Sequence, residues 1–301
     1  MKASKLVNSI AAAAAFGAVM LLASSPALGQ PPAPEGGGRG GPGGRGGGRG
    51  RGGPAMPPPG PTPRTADGKP NLSGYWNAGQ NGGAVFEVQK HEARSRSLPA
   101  GQGAIVDPPD GLIPYQPWAA EKAKDNFDNH LADEPELHCY MSGVPKQIYV
   151  QFGFQILQPP GYLVMNWEFM HSYRVIATDN RQHALAPNVK LFEGDSVGHW
   201  DGDTLVVDTT NLNDRTWFDT AGNFHSDQLH VVERFTMVND RTINYEATME
   251  DPKVFTKPWK IAMPLTRNMQ PNYEIMEFGC IEGNQDLHHY LDTAGGTAKA
   301  K

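Results

Sequence analysis

The densest run of chemically capable side chains lies between Asn211 and Arg234. It contains Asn213, Asp214, Trp217, Asp219, His225, Asp227, His230, Glu233 and Arg234. Read with the two-residue alternation of a strand, Leu229, Val231, Phe235 and Met237 share one face with Glu233, while His230, Val232, Arg234 and Thr236 share the other. The first face is the more apolar, so it turns to the core and takes Glu233 inside. Carried backward, the same parity sets His225 and Asp227 at the mouth of that face. On another strand Trp167, Phe169, His171 and Tyr173 form an aromatic face that brings His171 inward. The expectation is therefore a candidate catalytic group of His171, His225, Asp227 and Glu233. Asn213, Trp217, Trp167 and Tyr173 are expected to line it as ligand contacts. An isolated carboxylate on an apolar face needs a partner, and His171, His225, Arg174 and Arg234 are the available cations.

Such a group has three readings. Buried polar side chains hydrogen-bond one another as a structural network. A carboxylate of raised pKa beside an imidazole performs acid/base chemistry. Two imidazoles and two carboxylates suit a divalent metal, the one cofactor the sequence raises, although no His-Glu-x-x-His or comparable ligand spacing occurs. His288-His289 is an adjacent pair and cannot converge on one ion from a strand. No Gly-x-Ser-x-Gly elbow and no Gly-Lys-Ser/Thr phosphate loop is present. Asp201-Gly202-Asp203 reads as a hairpin turn. Whether the protein is an enzyme stays open at this point.

The elements that would hold these residues are mostly strands. Runs rich in β-branched and aromatic residues span 147–158, 161–169, 172–178, 204–210, 229–238, 242–250 and 273–281. Pro159-Pro160-Gly161, Asp201-Gly202 and Asn239-Asp240 make short connections, which join antiparallel strands. One helix is predicted, over 117–131. Without alternation of strands and helices, a parallel α/β fold is disfavoured. The fold class is all-β, a closed antiparallel barrel with one inserted helix, and an open β-sandwich is the alternative.

Leu72-Ser73-Gly74-Tyr75-Trp76 opens this region with a Gly-x-Trp. It is similar to the first-strand signature of lipocalins, whose tryptophan plugs the closed end of an eight-stranded barrel. The insertion 77–132 departs from that pattern. Further motifs follow: Asp67-Gly68-Lys69-Pro70, Trp200-Asp201-Gly202-Asp203-Thr204-Leu205-Val206-Val207-Asp208, His225-Ser226-Asp227 with Leu229-His230-Val231-Val232-Glu233-Arg234-Phe235, and Asp251-Pro252-Lys253 with Thr256-Lys257-Pro258-Trp259. With these, residues 66–292 resemble a family of exported bacterial proteins common in soil bacteria. The family often has His-Ser before its Gly-x-Trp-x-Gly-Asp turn where this chain has Asp195-Ser196, which removes a histidine there. The resemblance implies the domain limits and an exported protein, and brings no activity with it.

The ends of the chain set its compartment. Lys2 and Lys5 precede the twelve-residue apolar run 11–22 and the small residues 25–29, the pattern of a signal peptide over 1–29. The run is shorter than the ~20 residues a membrane span needs. Residues 30–69 are almost entirely Gly, Pro and Arg and read as a disordered linker, whose Arg39, Arg45, Arg49 and Arg51 could contact anionic envelope surfaces. The barrel domain is placed at 70–292 and a disordered tail at 293–301. From residue 70 onward, 18 Lys/Arg face 30 Asp/Glu, a net charge of −12 that argues against nucleic acid as a partner. The chain has two cysteines, and in a periplasmic or secreted protein Cys139 and Cys280 are a candidate disulfide. The function expected is binding, with transformation an open extension, of a small, partly apolar molecule. A structural or interaction protein of the envelope is the alternative.

Overall fold

Period-two burial runs through the long strands of the computed structural model, which describes residues 58–78, 87–93, 100–150 and 152–280. The signal peptide 1–29, most of the linker and the tail 293–301 lie outside the described residues. Ten strands form one sheet: β1 (Gly74–Asn77), β2 (Ile105–Asp107), β3 (Phe154–Leu157), β4 (Tyr162–Trp167), β5 (Tyr173–Ala177), β6 (Asp195–Asp201), β7 (Thr204–Thr210), β8 (His230–Asn239), β9 (Thr242–Glu250) and β10 (Trp259–Arg267). The order is β1-β3-β4-β5-β6-β7-β8-β9-β10, and β10 pairs back to β1 through Trp76↔Arg267 and Asn77↔Thr266. Nine strands thus close a barrel, and β2 adds to the first half of β10. Closure excludes the open sandwich. The count is nine where the lipocalin resemblance implied eight.

The purely antiparallel expectation needs correction. β5 and β6 run parallel and pair at one point only, Ala177↔Val197. The reason is the long connection 178–194, which carries the chain back toward the end at which β5 begins, as a parallel pair requires. Some turns are tight: Asp201↔Thr204 closes β6 on β7 over two residues, with Gly202 at a φ of 59°.

Three strands, β2, β6 and β10, have no counterpart among the expected runs, and the last strand is β10, not the run 273–281, which carries no strand over its described part. Pro264 hides β10, because proline inside a run argues against a strand. It is tolerated for a geometric reason. The Ala262 N–H points to Ala104 on the β2 side, so the Pro264 nitrogen, two residues on, also faces that side, where β2 has ended and β1 has not begun.

The inward residues fill the barrel. Trp76, Tyr149, Phe154, Phe235, Tyr245 and Trp259 are all fully buried. Chain ahead of residue 70 lies on the barrel as well: Arg64 pairs with Asp203 at 2.7 Å, and the Gly60 N–H donates to Asp240 at 2.8 Å. The helix α1 (Pro117–Asn129) starts with proline at its first turn and buries Ala119 and Asn126. Asn126 Nδ2 donates to the Gly222 carbonyl at 3.0 Å, and a Cβ on Gly222, at a φ of 85°, would stand 2.7 Å from that of Asn126. Short 3-10 turns over Leu131–Asp133, Pro135–His138 and Lys146–Ile148 follow the helix. Buried Lys146 holds them, with Glu134 at 2.6 Å and Glu136 at 2.9 Å. Cys139 and Cys280 form the expected disulfide, with Cα atoms 5.7 Å apart. No helix among the described residues is long and apolar enough to cross a membrane.

Candidate functional site

Glu233 points into the barrel beside Val231, Phe235 and Met237, as parity predicts, and it is 0% exposed. Its partner is Arg174 from β5, with the Tyr245 hydroxyl donating to the other carboxylate oxygen at 2.9 Å. Arg174 also donates to Ser196 on β6 at 2.9 Å and to Thr209 on β7 at 2.6 Å. These side chains tie the wall together across the seam where β5 and β6 share one backbone bridge. Burial works against the Arg174 charge, and Glu233 outweighs it, so the guanidinium stays protonated. Glu193, just before β6, buries both carboxylate oxygens with no hydrogen-bond partner. Burial pushes it up to about 7; Arg174 pulls it down, and the charge of Glu233 adds to the rise. The Gly143 amide draws it down slightly but lies outside hydrogen-bonding geometry.

The other expected residues lie apart. His225 is buried in the loop before β8, where Nδ1 meets the Ser226 carbonyl at 3.0 Å and Nε2 meets the Thr216 hydroxyl at 2.8 Å. Burial lowers its pKa, so the ring is neutral, with Nδ1 as donor and Nε2 as acceptor. Asp227 is at the surface, where the Lys253 ammonium, 3.1 Å away, keeps its carboxyl low. His171 Nε2 accepts the Phe278 N–H at 2.9 Å. None of the four has another of the four as its hydrogen-bond or ion-pair partner, so the expected catalytic group is not assembled. The aromatic face does not form because a turn interrupts the run: Met170 and His171 have φ of 58° and 48°, which breaks the alternation. Trp167 accordingly packs inward on Phe154, while Tyr173 points out, 68% exposed. Arg174 takes the inward place. Asn213 caps its own turn, accepting the Arg215 N–H at 3.0 Å. Trp217 lines a cleft of about 650 Å³ with Tyr140 and Arg215. Among the described residues, no group of three or more His, Cys, Asp or Glu side chains is placed to hold a metal ion.

A second concave site lies on the other flank of α1. Segments 108–115 and 221–223 and the helix enclose a cleft of about 690 Å³. Leu112, Ile113, Ala123 and Phe127 make apolar walls, and Glu87 and Asn223 stand among the polar lining. A buried network sets this floor. Asp219 accepts four hydrogen bonds, from the N–H groups of Val88 (2.8 Å), Ala221 (3.0 Å) and Asn223 (3.2 Å) and from Asn223 Nδ2 (2.7 Å). Asn223 Oδ1 accepts from Gln89 Nε2 at 3.1 Å and from the Tyr115 hydroxyl at 3.2 Å. Gln89 Oε1 accepts the Ile113 N–H at 2.9 Å. Three segments distant in sequence are locked by one another's polar groups. Burial pushes Asp219 up to about 7 against the pull of the Val88 and Asn223 amides, with the charge of Glu87 adding to the rise. Glu87 and His91 form a buried pair, 3.5 Å apart.

Sequence reasoning missed this site although its residues were visible. Asp219 was counted in the densest polar stretch, and Glu87 and His91 have the spacing of a pair. They sit in the 77–132 insertion, which belongs to no period-two run. The class of protein so defined is a filled, closed β-barrel with a lateral cleft beneath an inserted helix. No family model matches the chain, and no curated protein matches it either.

Proposed function

We propose that this is an exported, lipocalin-like protein that binds a small, partly apolar molecule in the cleft beside α1, not in the barrel lumen. The observation that carries this reading is the cleft of about 690 Å³, where the apolar Leu112, Ile113, Ala123 and Phe127 stand among polar and charged side chains. That size is usual for small-molecule sites. The lipocalin likeness is supported by Trp76, buried at the start of β1 beneath the Arg267 guanidinium, 4.3 Å from its ring. Export to the periplasm or medium is supported by the Cys139–Cys280 disulfide, since such bonds persist in oxidising compartments. The signal-like N-terminus and the resemblance to exported bacterial proteins point the same way. The basic Gly/Arg stretch then tethers the protein to anionic envelope surfaces.

A second reading, an envelope protein without a ligand, is favoured by the filled interior. An NMR titration with 2-phenylethanol separates the two. Binding in the cleft shifts the methyl resonances of Leu112, Ile113 and Ala123, and Ala123→Trp, which fills the space, abolishes the shifts. Unmoved methyl resonances at saturating probe would favour the ligand-free protein.

A further inference from the structure

We infer that the Cys139–Cys280 disulfide is an exchange site for a small thiol, and that opening it frees the segment 275–280 from the end of the barrel. The backbone around the bond carries this. Among the described residues, six other than glycine have φ in the left-handed region. Three are asparagines, whose short amide side chain eases that conformation. The other three are Cys139 at 60°, Met170 at 58° and His171 at 48°, and all three line one open cleft of about 570 Å³. Backbone held this way is costly, and such positions gather at sites where a protein uses them. Here they gather round the disulfide. Cys139 and Cys280 both line the same cleft, and both are part-exposed. A small thiol that enters the cleft meets the bond while the barrel stays folded.

The exchange balances between the thiol and the protein. A thiolate attacks one cysteine sulfur, the S–S bond breaks, and its electron pair leaves on the other sulfur, which takes up a proton. A second thiolate attacks the small-molecule sulfur of the mixed disulfide and expels the protein's remaining thiolate, which is protonated in turn. Two thiols are oxidised to one disulfide, and two cysteines are reduced. The segment that the bond fastens carries no strand. At its near end Tyr273 packs on Tyr75, with centroids 5.1 Å apart, and Glu274 accepts the Tyr75 hydroxyl at 2.7 Å. Beyond that anchor the Met276 N–H donates to Glu168 at 3.2 Å, and Phe278 packs on Phe169 and Phe152 with centroids 4.9 and 5.6 Å away. The Phe278 N–H donates to His171, so one side chain both walls the cleft and holds the segment. Surface contacts without a backbone ladder open locally at low cost. Once the crosslink is gone, 275–280 swings out from Tyr75 and uncovers Phe152 and Phe169.

Glutathione is the probe, applied to the full chain at one pH and one concentration while mass spectrometry follows the mixed disulfide and the two free thiols. The folded protein is expected to react within about tenfold of the rate of the urea-unfolded chain, whereas a bond reached only by unfolding reacts about a thousandfold or more slowly. Deuterium exchange on the reduced and alkylated protein then reads the segment. The Met276 and Phe278 amides are expected to exchange about tenfold or more faster than in the oxidised protein, with the interior amides of β8 and β9 unchanged. Cys139→Ser with Cys280→Ser reproduces that state without reagent, and the wild-type rates stand by themselves should this variant misfold. Reduction at the slow, unfolding-limited rate overturns the exchange site. Fast reduction with Met276 and Phe278 still protected overturns the release. Protection lost throughout the barrel makes the bond a plain structural staple and overturns both.

Discussion

Glu193 shows what a single buried proton does to the stability of this molecule. Its carboxyl, ordinarily near 4.5, is raised to about 7 in the folded chain. Below the unfolded value both states hold the proton and the carboxyl costs nothing. As pH rises through about 7 the folded state must ionise a carboxylate without a hydrogen bond, and stability is lost. Glu193→Gln is therefore expected to match wild type near pH 5 and to exceed it near pH 8, by on the order of 3 kcal/mol. Urea unfolding at the two pH values measures this, and equal stability of the two proteins at pH 8 would contradict it. Its neighbour Arg174 behaves oppositely. Arg174→Met strands Glu233, fully buried, and is expected to cost about 3–5 kcal/mol, while Arg174→Met with Glu233→Leu recovers most of the loss. A double-mutant cycle with a coupling energy near zero would mean the pair does not hold the seam.

The seam between β5 and β6 is where the wall is weakest as an element. One backbone bridge joins the two strands, against seven residue pairs between β6 and β7. Amides of β5 and β6 that face the seam are expected to exchange with deuterium faster than the interior amides of β8 and β9. Uniform protection around the barrel would show that Arg174, Ser196 and Thr209 close the seam as firmly as a ladder does. Much of the wall was legible before the structure. Val231, Glu233, Phe235 and Met237 share a face because β8 is long and its alternation is unbroken as far as Met237. Legibility stopped where the backbone turns. Met170 and His171 reverse the face of Tyr173 in a way that only their left-handed φ values explain, and Pro264 masks β10 because its harmless nitrogen is known only once β2 and β1 are placed. The cleft was hidden for a different reason. Val88, Asp219, Asn223 and Tyr115 meet through loop hydrogen bonds between distant segments, and no period marks such contacts in a sequence.

At the scale of the whole molecule, the Cys139–Cys280 bond fastens the 3-10 turns after α1 to the segment that follows β10. Loop-closure entropy assigns so long a crosslink about 5 kcal/mol at most, so reduction should lower the melting temperature while the barrel, with its filled interior, still folds. Loss of cooperative unfolding in reductant would show that the bond is required for the fold itself. The bond also changes what kind of object the polypeptide is. Every strand from β3 to β10 lies between the two cysteines, so eight of the ten strands belong to a covalent ring. A protease that cuts once in the exposed 178–194 connection opens the ring without releasing a fragment. The cut protein migrates as one band in a non-reducing gel and as two in a reducing one. Wherever proteases reach that loop, a ringed barrel survives its first nick with all its strands still attached.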